Sequence, residues 1–143
     1  MLDAIGQVNL LFCNDAEARE LFETPNLVLA ARKALKLGPQ AVIFKKGEHG
    51  ALLFTENSYF AAMGYPLETV KDPTGCGDCF GGSVMGYLAK TKDTSERNIR
   101  KAMMYGSAIA SFNAEDFGLN RLKQIALIDI EQRVKEFRMM QEF

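Results

Sequence analysis

Residues 71–82 read KDPTGCGDCFGG. The stretch holds four glycines, two cysteines and two aspartates between a strand-like and a helix-like segment, and it limits the possible folds more than any other. Pro73 bars regular continuation of a strand expected to end near Asp72. Gly75 and Gly77 admit backbone angles closed to other residues. A helix is expected to begin near Asp78. In a strand, glycine turn and helix N-terminus, successive backbone N–H groups converge and the helix dipole adds partial positive charge. That arrangement favours an anion, most commonly phosphate. It is not a Walker loop, because no Gly-Lys-Ser/Thr follows. Nor is it G-x-G-x-x-G with a later acidic ribose binder.

Asp78 sits awkwardly in such a cradle, since a carboxylate repels a phosphate unless it has a task. One task is to accept a proton from a substrate hydroxyl as that oxygen attacks phosphorus. The plain alternative is a helix cap, and the residues alone leave both open. The chain has three cysteines, Cys13, Cys76 and Cys79, and an odd count without an export signal argues against a disulfide framework. Cys76 and Cys79 form C-x-x-C, which suits half a zinc site, a redox pair or two small residues around a turn. A second cysteine pair is missing and His49 is the single histidine, whereas a structural zinc needs four ligands, so two small residues around a turn is the favoured reading and metal or redox chemistry the minor one.

Around this loop the sequence predicts alternating elements. VNLLFC (8–13) reads as a buried strand. Asn14 then caps a helix, with Glu17 as its capping-box partner. A second helix spans 25–39, with Leu27, Ala31, Ala34 and Leu35 on one face and Gly38 as its stop. Residues 41–47 and 50–56 are strand-like around a Gly-bounded turn, and 58–65 and 68–72 look like further strands. Phe80, Val84, Tyr87 and Leu88 recur at helical spacing. A helix over 95–113 presents Ile99, Met103, Gly106, Ser107 and Ala110, a face of small residues that something must approach closely. Asp129 with Gln132 is expected to cap a last helix carrying Ile130, Val134 and Phe137. Together these predict one α/β layered domain with a mixed sheet.

The 143 residues suit one domain, and 48% hydrophobic with 24% charged residues supports a packed core. With net charge −1 and no basic run, a nucleic-acid surface is not expected. No apolar run reaches membrane-spanning length, and the N-terminus lacks a signal-peptide pattern. The expectation is a soluble cytoplasmic protein.

DPTGCGD (72–78) resembles the D-T-x-G-A-G-D signature of the ribokinase-like, PfkB-type carbohydrate and nucleoside kinases. CNDAEARELF resembles that family's N-x-x-E segment, and VIFKKGEHGALLF its strand-turn-strand beside the nucleotide. The resemblance runs from about Val8 to the C-terminus. It implies a ribokinase-like, Rossmann-type layered sheet with flanking helices, and transfer of phosphate from ATP to a hydroxymethyl group of a sugar or nucleoside. By position, Asp78 becomes the catalytic base, and the backbone N–H groups of Gly75, Cys76 and Gly77 form the anion hole. Asn14 and Glu17 act on Mg²⁺, largely through water. Lys45, Gly47, Gly50, Gly77 and Asn113 border the nucleotide. Asp72 and Thr74 match positions where some relatives hold a monovalent cation. For Asn14 and Glu17 the plain reading is the capping box itself; for Lys45 to Gly50 it is a hairpin turn, with Lys45 and Lys46 solvated and His49 a surface residue.

Typical members carry a further N-terminal half with several strands, a small β lid and the acceptor-binding groups. The resemblance therefore implies that residues 1–143 are the C-terminal nucleotide-binding and catalytic portion, truncated on the N-terminal side and lacking the lid. An exposed sheet edge and apolar face should then seek a complementary N-terminal half or a second copy. The competing readings are a truncated module that binds nucleotide without catalysis, and an oligomeric remnant.

Overall fold

The computed structural model describes residues 2–143. It divides into two compact units, residues 1–61 and 62–143. The boundary falls at the last residue of the final strand; the first unit is α/β and the second is helical. No shift in composition marks that boundary in the sequence.

The first unit opens with a short helix, α1 (Leu2–Ile5), followed by β1 (Leu10–Asn14), α2 (Asp15–Leu21), α3 (Leu27–Leu35), β2 (Ala41–Lys45), β3 (Ala51–Phe54) and β4 (Tyr59–Ala62). The sheet order is β1-β2-β3-β4, with β1 and β2 parallel and β2 and β3 antiparallel. This is the mixed sheet predicted. Ala41, Val42, Ile43 and Phe44 are all buried, which explains why β2 reads as an unbroken apolar run rather than an alternation. α3 rests on its alanines. Ala30, Ala31 and Ala34 are fully buried, while Leu27 and Leu35 pack beside them. Asn26 caps this helix through its side-chain oxygen, which accepts from Val28 and Leu29 N–H at 2.9 and 3.1 Å. Its C-cap is Lys36, two residues before the expected glycine stop at Gly38.

The second unit is built on α4 (Cys76–Thr91), α5 (Glu96–Ala114) and α6 (Leu127–Met140). Residues 68–72, expected as a strand, are irregular. Their backbone donors go to a helix end instead, Lys71 N–H to the Ala114 carbonyl at 2.9 Å and Asp72 N–H to the same oxygen at 3.4 Å. α4 begins at Cys76, two residues before the expected start. Asp129 is not the cap of α6 but its third residue. The N-cap is Ala126, whose N–H donates to the Asp129 carboxylate at 2.7 Å.

α4 and α5 pack through the small-residue face of α5. A Cβ placed on Gly106 would lie 3.0 Å from the Phe80 carbonyl oxygen and 3.0 Å from Val84 Cγ2. The close approach inferred from sequence is therefore real, and its partner is α4. Gly86 on α4 has open space where a Cβ would sit. The two glycines should respond oppositely to alanine. Gly106→Ala should cost about 1–3 kcal/mol through overpacking, exceeding the helix-propensity gain. Gly86→Ala should stabilise by up to about 1 kcal/mol. Denaturant titration of both variants checks the pair; a stabilised Gly106→Ala would contradict the packing described.

Candidate functional site

The glycine turn lies within the second unit. Gly75 is the N-cap of α4, with φ 78° and ψ −4°, and no side chain caps the helix. Left-handed backbone here suits glycine, because a Cβ would strain it. Before it, Asp72 folds the chain into an Asx turn, its Oδ1 accepting from Thr74 N–H at 3.0 Å. The Thr74 hydrogen bonds, with help from Gly118 N–H, hold the Asp72 carboxyl below the usual carboxylate range.

The fate of each amide shows what the turn can bind. Cys76 N–H donates to the Pro73 carbonyl at 3.2 Å, and Cys79 N–H to the Gly75 carbonyl at 2.8 Å. Among the described residues, the N–H groups of Gly75, Gly77 and Asp78 have no protein acceptor. Cys76, expected in the anion hole, thus has its amide turned to Pro73. Gly75 and Gly77 keep theirs free, and Asp78 adds a third. Helix N-termini leave such donors over, and an anion satisfies them.

Asp78 is exposed at the third position of α4. Among the described residues no hydrogen bond or ion pair engages its carboxylate. The capping alternative therefore fails, because the group reaches no backbone N–H and stands free beside the unpartnered amides.

Asn113, expected beside the nucleotide, is only 2% exposed. Its Nδ2 donates to the Thr74 carbonyl at 2.9 Å and to Cys76 Sγ at 3.5 Å. This amide works on the turn, holding its carbonyl side in place from the last turn of α5. Next to it, Ala114 accepts from Lys71 and Asp72. Glu115 accepts from Arg121 at 2.8 Å and from Arg133 at 2.7 Å. The Arg133 guanidinium carbon lies 3.5 Å from the Phe112 ring centroid. Sequence reasoning missed this bracing role. The signal available was a lone asparagine on an otherwise small and apolar helix face.

In the first unit, Asn14 and Lys45 are register partners at the carboxyl ends of parallel β1 and β2. Such strand ends commonly hold ligands in α/β sheets. Asn14 and Glu17 form the full capping box. Glu17 N–H donates to Asn14 Oδ1 at 2.7 Å, and Asn14 N–H to Glu17 Oε2 at 2.8 Å. The second carboxylate oxygen of the exposed Glu17 is left over. Among the described residues no cluster of three or more His, Cys, Asp or Glu could enclose a metal. A Mg²⁺ that keeps most of its water needs only one or two carboxylates, and Glu17 fits that outer role better than Asn14, whose oxygen already serves the helix. Gly47 to His49 form a single 3₁₀ turn. Gly47 and Gly50 both take positive φ, and Lys46 N–H donates to the Gly50 carbonyl at 2.8 Å.

The first unit thus carries parallel strand ends and the second a glycine turn opening a helix. The pfkB family carbohydrate kinase model matches residues 1–125. The chain belongs to that family. It is 33% identical over 88 residues to the cytidine kinase of Thermococcus kodakarensis, covering 59% of this chain and 31% of that protein. It superposes on ribokinase from Thermotoga maritima with TM-score 0.77 at 24% identity, covering 94% of this chain and 45% of that one. Fructokinase from Vibrio cholerae gives TM-score 0.82 at 20% identity, covering 92% and 42%. These two confirm the ribokinase-like fold. The chain spans less than half the length of each of the three.

Two measurements test the site's construction. Asn113→Ala strips the Thr74 carbonyl of its donor and should cost about 1–3 kcal/mol. Amide exchange over residues 72–78 should accelerate; unchanged exchange there would show that Asn113 does not brace the turn. Cys13, beside Glu17 and Lys45, has its thiol pushed up to about 11 from 9.0, chiefly by burial, with Glu17 adding and Lys45 opposing. The unfolded thiol ionises first, so stability held below pH 9 should fall as pH rises through about 11. In Cys13→Ala this part of the decline should vanish, as read from stability against pH in paired denaturant titrations.

Proposed function

We propose that the chain supplies the nucleotide-binding and catalytic part of an ATP-dependent phosphotransferase, acting on a hydroxymethyl group of a sugar or nucleoside. The observation that carries this reading is the free, exposed Asp78 carboxylate beside the unpartnered amides of Gly75, Gly77 and Asp78. A structural cap would have been hydrogen-bonded. A simple anion site gains nothing from an adjacent acid.

In this reading Asp78 accepts the proton of the acceptor hydroxyl as its oxygen attacks the γ-phosphorus and ADP leaves. The free amides take up charge developing on the transferred group. Lys45, Gly47 and Gly50 border the nucleotide, and Asn113 acts through the turn. Mg²⁺, when bound, neutralises phosphate charge; Glu17 would hold it through water. The Vibrio cholerae fructokinase structure contains fructose, ADP and a calcium ion, which supports a nucleotide and a hard divalent cation for this fold. For Asp72 and Thr74 the proposal includes a monovalent cation. The relatives phosphorylate cytidine, ribose and fructose by their names, in keeping with an acceptor among ring alcohols.

Because the chain spans under half of those relatives, the proposal assigns lid and acceptor site to a complementary N-terminal half or a second copy. Exposed Met85, Val70 and Tyr59 are apolar surface that such a partner would cover. The same coverage favours one second reading, a module that binds nucleotide without transferring phosphate. The cytoplasm is the proposed location. Among the described residues no helix is long and apolar enough to cross a membrane.

Calorimetric ATP titration with and without Mg²⁺, followed by a sugar and nucleoside assay panel, separates the readings. Asp78→Asn should lower turnover about 10²–10⁴-fold while ATP affinity stays within about threefold, or tightens as a repelling charge is removed. Loss of binding and turnover together would make Asp78 structural. Wild-type binding without phosphorylation of any acceptor would favour the second reading.

A further inference from the structure

We propose that Cys76 and Cys79 form a reversible disulfide that rearranges the first turn of α4 and closes the phosphate turn. Its functional consequence rests on the phosphate reading above; the disulfide itself does not.

The two cysteines are the first and fourth residues of α4, so they share one face of its first turn. Helical geometry sets their Cα atoms about 5 Å apart, within the disulfide range of about 4.4–6.8 Å. Their Cβ atoms stand about 5–6 Å apart, whereas a disulfide holds them at about 3.5–4.5 Å. The bond therefore closes only by drawing the turn in by about 1–2 Å. Gly77 and Asp78 lie between the two sulfurs. The bonds that set the turn, Cys76 N–H to Pro73 and Cys79 N–H to Gly75, belong to the same two residues. Oxidation thus acts on the free amides and on the carboxylate that the phosphate reading requires.

Both thiols are free and partly exposed, whereas Cys13 is buried. Their surroundings differ. Cys76 Sγ accepts from the buried Asn113 amide. The Cys79 thiol is pushed up, first by burial and then by neighbouring Cys76 and Asp78. Cys76 is accordingly the attacking sulfur and Cys79 the resolving one.

The oxidant is a low-molecular-weight disulfide such as oxidised glutathione. Cys76 thiolate attacks one of its sulfurs and expels one glutathione thiolate, leaving a mixed disulfide. Cys79 then loses its proton and attacks Cys76 Sγ, expelling the second glutathione. Two protein thiols lose two electrons and the oxidant becomes two thiols. In a reducing compartment such pairs are transient and sensing rather than structural.

The experiment incubates the chain in glutathione buffers of falling reduced-to-oxidised ratio, then alkylates and weighs it. Wild type should lose two alkylation sites together, carry no glutathione, keep Cys13, and recover on reduction. Cys79→Ala should trap one glutathione on Cys76. Amide exchange over 72–80 should change on oxidation of wild type, and ATP affinity should fall at least tenfold. Both thiols still alkylatable in fully oxidised glutathione would overturn the pair. A disulfide that leaves exchange over 72–80 unchanged would overturn the rearrangement. If reduced protein binds no ATP while the disulfide forms and exchange changes, the kinase reading fails and the thiol pair stands.

Discussion

The last turn of α5 holds the glycine turn in place. Asn113 reaches the Thr74 carbonyl and the Cys76 sulfur, and the Ala114 carbonyl takes the Lys71 and Asp72 donors. Glu115 is in turn held by two arginines. Three consecutive residues therefore fix the approach to the turn, its carbonyl side and their own helix end. The Asn113 bond spans 39 residues of sequence and is partly buried, so it is less weakened by solvent than an exposed equivalent. Without it, Gly75 and Gly77 would confer flexibility instead of shape.

This bracing explains how a turn can keep three N–H groups free. Two of the five donors between Thr74 and Asp78 are used locally, Thr74 on Asp72 and Cys76 on Pro73. These set the curvature. The other three have no protein acceptor among the described residues, which leaves them to solvent or a ligand. Because the geometry exists beforehand, the anion proposed above would meet little ordering cost. The capping box at Asn14 and Glu17 is the opposite case, since its groups already satisfy each other. Of the two motifs, the glycine turn has the larger unmet demand for an anion.

Much of this was legible in the sequence because it is local. The Asn14–Glu17 box, the buried β2 run and the small face around Gly106 each follow from periodicity or spacing within one element. The failures share a different cause. Residues 68–72 have strand composition, but their partner is a helix carbonyl 43 residues on from Lys71, which no local pattern shows. Asp129 was read as the cap because aspartate is a common N-cap; its carboxylate instead reaches back from the third position. Asn113 was expected at the nucleotide because it sits where the resembled family closes over adenine; its bond to the Thr74 carbonyl, 39 residues back, is likewise absent from any local pattern.

The proposed phosphate cradle would use backbone amides, so the side chain at position 76 is free to vary so long as it fits beside Asn113. A sulfur there accepts the Asn113 amide that would otherwise serve only Thr74, and it places a polarizable group at the start of α4. Cys79, one turn further on, is tied to the same geometry through the Gly75 carbonyl. Any force between the two sulfurs is therefore transmitted to the backbone that carries the free donors. Substitution at either position changes a packing contact or the turn's shape, and under the proposed disulfide only the intact pair would couple the turn to the redox state of its surroundings.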